Sequence, residues 1–227
     1  MAAMRAAPLL AALLLAPAPA RAAGRDPRIV EQVVAVVRTP SATQPRVITL
    51  TRLEEETRIA LVWRGAAGAA EGELDAPALR AGLEWLLDQT LLHDEAVRLQ
   101  VFEVDRAEVT EELHRFQGRF PALAAYRAFL RRCDLTEEEL LVVLRRILRV
   151  QRYLESRVSG ALRVKEADVD RYLAERGAEG PGSPAVRGAV RAQLAEERSA
   201  REVKALVGEL RARAQVRVLE RFEGDAR

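Results

Sequence analysis

Several groups of residues have the types and spacing for chemistry. Glu54-Glu55-Glu56 and Glu137-Glu138-Glu139 each set three carboxylates side by side. Such runs can hold a divalent cation or move protons. Each run also follows a threonine, Thr51 or Thr136, at capping-box spacing. Negative charge is favoured in the first turn of a helix, and that structural role is the expected one. His93-Asp94-Glu95 gathers three polar groups, but consecutive helical residues point in different directions. No second histidine lies four positions away, so zinc-protease spacing is absent, and His114 stands alone. Ser41, Ser156, Ser159, Ser183 and Ser199 all lie outside any G-x-S-x-G elbow. Cys133 follows Arg131 and Arg132, whose charge would lower its pKa; a small residue closing a helix is the alternative. Lys165 and Lys204 are the only lysines, and neither follows a glycine-rich loop. No phosphate-binding loop and no nucleotide are therefore expected. Arg145, Arg146, Arg149 and Arg152 form a basic stretch, expected to be a solvated helix face. Contact with acidic clients or anionic lipid is its functional alternative.

The elements that would position these residues are set by composition. The 227 residues are 49% hydrophobic, 31% charged and 4% aromatic, enough for a core and too apolar for wholesale disorder. Lys+Arg number 36 against 34 Asp+Glu, and residues 1–22 hold Arg5 and Arg21 with no acid. The remainder is balanced, which argues against nucleic acid as the main partner. A single cysteine excludes an intrachain disulfide and a cysteine-based zinc site. No metal and no cofactor are expected.

Residues 1–22 have a basic start, a short apolar Ala/Leu run and the small-x-small pattern Ala20-Arg21-Ala22. This predicts a secretory signal peptide cut before Ala23. The apolar run is about half the ~20 residues of a spanning helix, and no transmembrane anchor is expected. Arg28–Arg38 and Arg46–Leu50 are rich in β-branched residues and predict a hairpin around a proline-containing loop. Helices follow at about Thr51–Trp63, Pro77–Leu99, Asp105–Phe116, Pro121–Cys133, Thr136–Val158 and Lys165–Glu175. The breaker-rich Gly177–Pro184 precedes a long helix, about Ala185–Ala214, and Val216–Phe222 alternates like a strand. Short terminal strands are too small to stand alone, so the last is expected to pair with the first hairpin. The expected fold class is mostly α, a multi-helix body with a small sheet made from both ends of the chain. The domain reading is signal peptide 1–22, helical domain with hairpin 23–176, linker 177–184, and a completing helix and strand 185–227.

The sequence resembles a known family. The hairpin end ITLTRLEEE (Ile48–Glu56) and the helix LEWLLDQTLLHDEAVRL (Leu83–Leu99) look like the chaperone domain of SurA-type periplasmic folding factors. VFEVDRAEVTEEL (Val101–Leu113), LRVKEADVDRYLAER (Leu162–Arg176) and AQLAEERSAREVKALVGELRARAQVRVL (Ala192–Leu219) are similar to its later segments. In two-function members a parvulin-type isomerase domain separates the last two helices. Gly177–Pro184 is too short to form one, and the paired histidines of a parvulin site are missing. The resemblance implies an ATP-independent periplasmic chaperone without prolyl isomerase activity. Its partners would be unfolded polypeptides, outer-membrane proteins among them. A structural subunit holding a single envelope partner is the alternative. Candidate client-lining residues are Trp63, Trp85, Phe102, Phe116, Phe120, Tyr126 and Phe129, with ordinary core as each one's other assignment. They fall at helix ends and within Val101–Phe129, while Leu and Val fill the long helices.

Overall fold

β1 (Val33–Arg38) and β2 (Arg46–Thr49) form the expected antiparallel hairpin. The computed structural model describes residues 31–100, 103–160, 163–176, 182–220 and 222. The expected signal peptide, 1–22, and the opening of the first predicted strand lie outside these residues. Ala35 pairs with Ile48, Val36 with Val47 and Val37 with Arg46. A bulge between Val33 and Ala35 sends both Val34 and Ala35 into the core, each at 0% exposure.

α1 (Leu50–Trp63) starts earlier than the sequence suggests. Thr49, the last strand residue, is the N-cap in place of Thr51, and its side chain accepts from Arg52 N at 3.4 Å. Two threonines two positions apart both fit a cap by sequence. Strand pairing decides between them, since Thr49 still has the extended backbone that an N-cap requires. The first turn of α1 therefore holds no acid, and Glu54–Glu56 lie beyond it.

The other helices follow the expected order. α2 (Ala76–Arg98) is capped by Asp75 with Pro77 in its first turn. α3 (Arg106–Gln117) has an Asp105–Glu108 capping box, and α4 (Leu123–Arg132) has no side-chain cap. α5 (Glu137–Val158) carries the predicted Thr136–Glu139 capping box, with Glu137–Glu139 in its first turn. α6 (Glu166–Glu175) and the 30-residue α7 (Pro184–Arg213) come next, and α7 spans about 45 Å. Of the predicted linker, 177–181 lie outside the described residues; Gly182 has φ +70° and Ser183 caps α7. The chain then enters β3 (Gln215–Val218), which pairs antiparallel with β1. The sheet order is β2-β1-β3, so the first strand is central and the two ends of the fold meet on it.

Two apolar clusters fill the body. One joins the inner face of the sheet to α2, to Val150 and Tyr153 of α5, and to Leu206 and Leu210 of α7. The other joins the end of α1 to α3, α4 and the first half of α5 through Leu140, Leu144 and Ile147. The wide apolar arc of α5 therefore serves both, as an arc of that width requires. α6 packs on the first half of α7 through a small cluster of Val169, Leu173 and Val190. Ion pairs from Glu166 to Arg187 and Arg191, and from Asp168 to Arg198, reinforce that pairing. No described helix is long and apolar enough to cross a membrane.

Candidate functional site

Four of the aromatic candidates lie in the interior. Phe116 is 0%, Tyr126 2%, Phe129 4% and Phe120 7% exposed. Their rings meet in tilted pairs: Phe120 lies 5.3 Å from Phe129 and 5.7 Å from Tyr126, and Phe116 lies 5.8 Å from both Phe120 and Phe129. This geometry suits aromatic quadrupoles and holds α3 against α4. Tyr126 donates to Glu137 at 3.0 Å, and burial pushes its hydroxyl up to about 12. These four side chains form a packed aromatic core and do not line an open groove. The spacing Phe116/Phe120 and Tyr126/Phe129 places each pair on one face of its chain segment, which is the arrangement of a core seam.

The other three candidates divide. Phe102 lies outside the described residues. Trp85 is partly buried between the two clusters, with the Arg64 guanidinium 5.9 Å from its ring centre. Trp63 is partly buried at the end of α1, and its Nε1–H donates to Glu112 Oε1 at 2.9 Å. Glu112 is buried and also accepts from Arg115 at 2.8 Å.

Trp63 stands at one end of the open concavity between α3 and α5. Two open surface hollows share Arg115, Leu148 and Arg152. Val104, Ala107 and Leu148 supply the apolar floor, and Glu111, Arg115, Arg152 and Glu155 supply charged walls. Arg152 bridges to the Glu103 carbonyl and the Glu108 carboxylate. The groove is thus smaller in apolar surface and richer in charge than the sequence suggested. Such a surface can hold an extended segment through scattered apolar contacts and ionic rims.

The basic stretch of α5 is not a uniformly solvated face. Arg146 is bound to the buried Glu56 of α1, and Arg152 is engaged as above. Arg145 is exposed. These tertiary pairings join residues 44 to 90 positions apart, and no local spacing signals them.

The groups that looked reactive are settled by their surroundings. Cys133 is buried at the end of α4, and burial pushes its thiol up to about 11, opposite to the direction expected from its arginine neighbours. Asp94 is 7% exposed and accepts from Thr39 Oγ1 at 3.0 Å and from Arg46 Nε at 3.3 Å. Burial alone would raise its carboxyl; hydrogen bonds from His93, Arg46 and Thr39 outweigh that and hold it below the usual carboxylate range. The network ties the β1–β2 loop to α2. His114 is exposed. Among the described residues, no three His, Cys, Asp or Glu converge as a metal-holding group.

Glu55 differs from the rest. Burial, then the negative charges of Glu56, Glu139 and Asp134, push its carboxyl from 4.5 to about 7. In the fold it holds a proton between pH 4.5 and 7 that the unfolded chain releases. Stability therefore rises as pH falls through 7 and carries a penalty above it. Glu55→Gln should stabilise the protein by about 1 kcal/mol at pH 8, after allowance for solvent screening, and leave it unchanged near pH 4. Thermal unfolding at the two pH values checks this; equal shifts at both would refute the charge origin.

No protein-family model matches the chain, and no curated protein or solved structure matches it either.

Proposed function

We propose that this chain is an ATP-independent holding protein for unfolded polypeptide, acting in the periplasm without prolyl isomerase activity. The observation that supports the reading is the closure of a helical body by strands that flank its helices in sequence, β3 pairing with β1. That is the architecture implied by the resemblance to SurA-type chaperone domains. A helical cradle of this kind acts by contact and changes no covalent bond. The surface offered to clients is the groove between α3 and α5, with Val104, Ala107 and Leu148 at its floor and Trp63 at its end. Weak, broad binding near micromolar, about −8 kcal/mol, retains a client and still lets it leave.

The test is suppression of aggregation of an unfolded β-barrel protein, followed by light scattering without ATP. The full chain at several-fold molar excess should suppress scattering, and an unchanged trace rejects the reading. A prolyl isomerisation assay should stay at the uncatalysed rate.

The charged walls of the groove favour a second reading, a subunit that holds one envelope partner. Fixed charges such as Arg115 and Glu111 select a partner more than they serve many clients. A pull-down that returns a single stoichiometric partner supports this alternative; many unrelated unfolded proteins support the holding function.

A further inference from the structure

We infer that β3 is a docking edge for an extended polypeptide segment with apolar residues alternating with acidic ones. The edge is defined by the β1–β3 register. Leu219 N donates to Val34 O at 2.8 Å, and Arg217 faces Val36 two positions along each strand. In an antiparallel ladder the hydrogen-bonded pairs alternate, so Leu219, Arg217 and Gln215 direct their backbone groups toward β1. Val216 and Val218 direct theirs outward. Among the described residues no chain pairs with that side, because the sheet ends at β3.

The side chains along this edge match the backbone opening. Val216 and Val218 share the inner face with Ala35, Val37 and Ile48, yet each remains 37% exposed. Leu219, next along the chain and in alternation with Arg217 on the opposite face, is 49% exposed. On the outer face lie Arg217 and, at the neighbouring diagonal position, Arg38. Both are exposed, and neither has an acidic partner among the described residues. Protein edges of this kind are ordinarily blunted by proline, lysine or a covering loop. β2 shows such blunting: Pro45 precedes it and α1 begins at Leu50, which leaves only the Val47 region open. Among the described residues, β3 has no such block.

An added strand would satisfy the four outward backbone groups of Val216 and Val218. Its inward side chains would have to be apolar, to cover those valines. Its outward side chains would lie beside Arg217, with Arg38 one strand further in adding to the positive charge of that face, which selects Asp or Glu. This is strand addition, in which the main chain supplies affinity and alternate side chains supply selectivity. The edge gives the holding function a second client surface and rests on that reading for its role, although the binding step stands on strand chemistry alone.

The experiment measures fluorescence anisotropy of the full chain with two labelled peptides, one of alternating Val and Glu and one of alternating Val and Lys. The Val/Glu peptide should bind about tenfold more tightly. Val218→Pro keeps the β1–β3 ladder, since the N–H it removes points outward, and circular dichroism should show an unchanged fold. It should weaken the Val/Glu peptide about tenfold or more. Arg217→Glu, at an exposed position, should reverse the preference between the peptides. Equal binding by Val218→Pro and the parent chain, or equal binding of the two peptides, overturns the proposal. A dimer in sedimentation that Val218→Pro abolishes gives the edge to a second copy and also overturns it. If Val218→Pro retains both full aggregation suppression and the parent chain's affinity for the Val/Glu peptide, the edge proposal fails and the holding function stands. If the parent chain suppresses nothing but still binds the Val/Glu peptide, the holding function fails and the strand-pairing edge stands.

Discussion

Glu56→Ala should destabilise the protein by about 3 kcal/mol, one of the two largest single effects expected. Glu56 lies on α1 with 4% exposure and accepts from Arg52 at 3.3 Å and from Arg146 of α5. The Arg146 side chain is itself only 15% exposed. Removing the carboxylate leaves a cation between two helices without its counter-charge, and the lost desolvation energy is not recovered. Arg146 Nε already has no hydrogen-bond partner, so the site has little spare capacity to reorganise. At a few degrees per kcal/mol for a chain of this size, Tm should fall by about 10 °C. Replacing both members by apolar side chains, as in Glu56→Leu with Arg146→Met, should recover most of the loss. If the double variant is as unstable as the single one, the charge account is wrong and packing carries the effect.

Gly82→Ala should cost about 2 kcal/mol, against the usual gain from replacing a helical glycine. Gly82 is buried on α2 where α1 crosses it. A Cβ there would overlap Thr57 Oγ1 and lie 2.9 Å from Thr57 Cγ2 and 3.0 Å from Thr57 Cβ. Because the Thr57 Cβ is itself close, rotation of that side chain cannot clear the space. The helices must separate, and the core between them loosens. Thr57→Ala should restore part of the stability in the Gly82→Ala background, because it removes the overlapping Oγ1 and Cγ2, leaves the Cβ at 3.0 Å, and gives up no hydrogen bond from Oγ1. Gly208 on α7 provides the opposite case. It has nothing within 4 Å of a built Cβ, so Gly208→Ala should stabilise by about 0.5–1 kcal/mol. Urea unfolding of the variants checks both signs. Destabilisation by Gly208→Ala as well would implicate the helices in general and not the α1–α2 crossing.

Most elements were legible because their signals are local. Asp75, Asp105 and Thr136 each cap the helix that the sequence assigned to them. The pairing of the last strand with the first hairpin followed from the instability of isolated short strands. The α1 start was misplaced because Thr49 and Thr51 are equally good caps by sequence, and strand pairing chose Thr49. The site was less legible. Phe116, Phe120, Tyr126 and Phe129 concentrate in one segment, which by sequence fits either a client-lining surface or ordinary core, and their burial makes them core. Their spacing of three or four residues already describes a seam, but the partner helix that closes it is a tertiary fact. The pairing of Glu56 with Arg146 is invisible for the same reason, and so is the burial of Cys133. Residue types predicted which groups can react; the environment decided that Cys133 is inert and that Glu55 titrates near neutrality.

The placement of β1 at the centre of the sheet has a consequence for biogenesis. Its neighbour on one side is the next strand, while its neighbour on the other comes from Gln215–Val218, on the far side of every described helix in chain order. A nascent chain can complete the hairpin early but cannot cover the second flank of β1 until Gln215–Val218 have been made. Closing that long-range pairing is an entropically slow step. A chain that stalls or is clipped before Gln215 keeps its helices and bares the central strand. Proteolytic surveillance would thus have a direct structural mark by which to separate molecules that hold β3 from those that lack it.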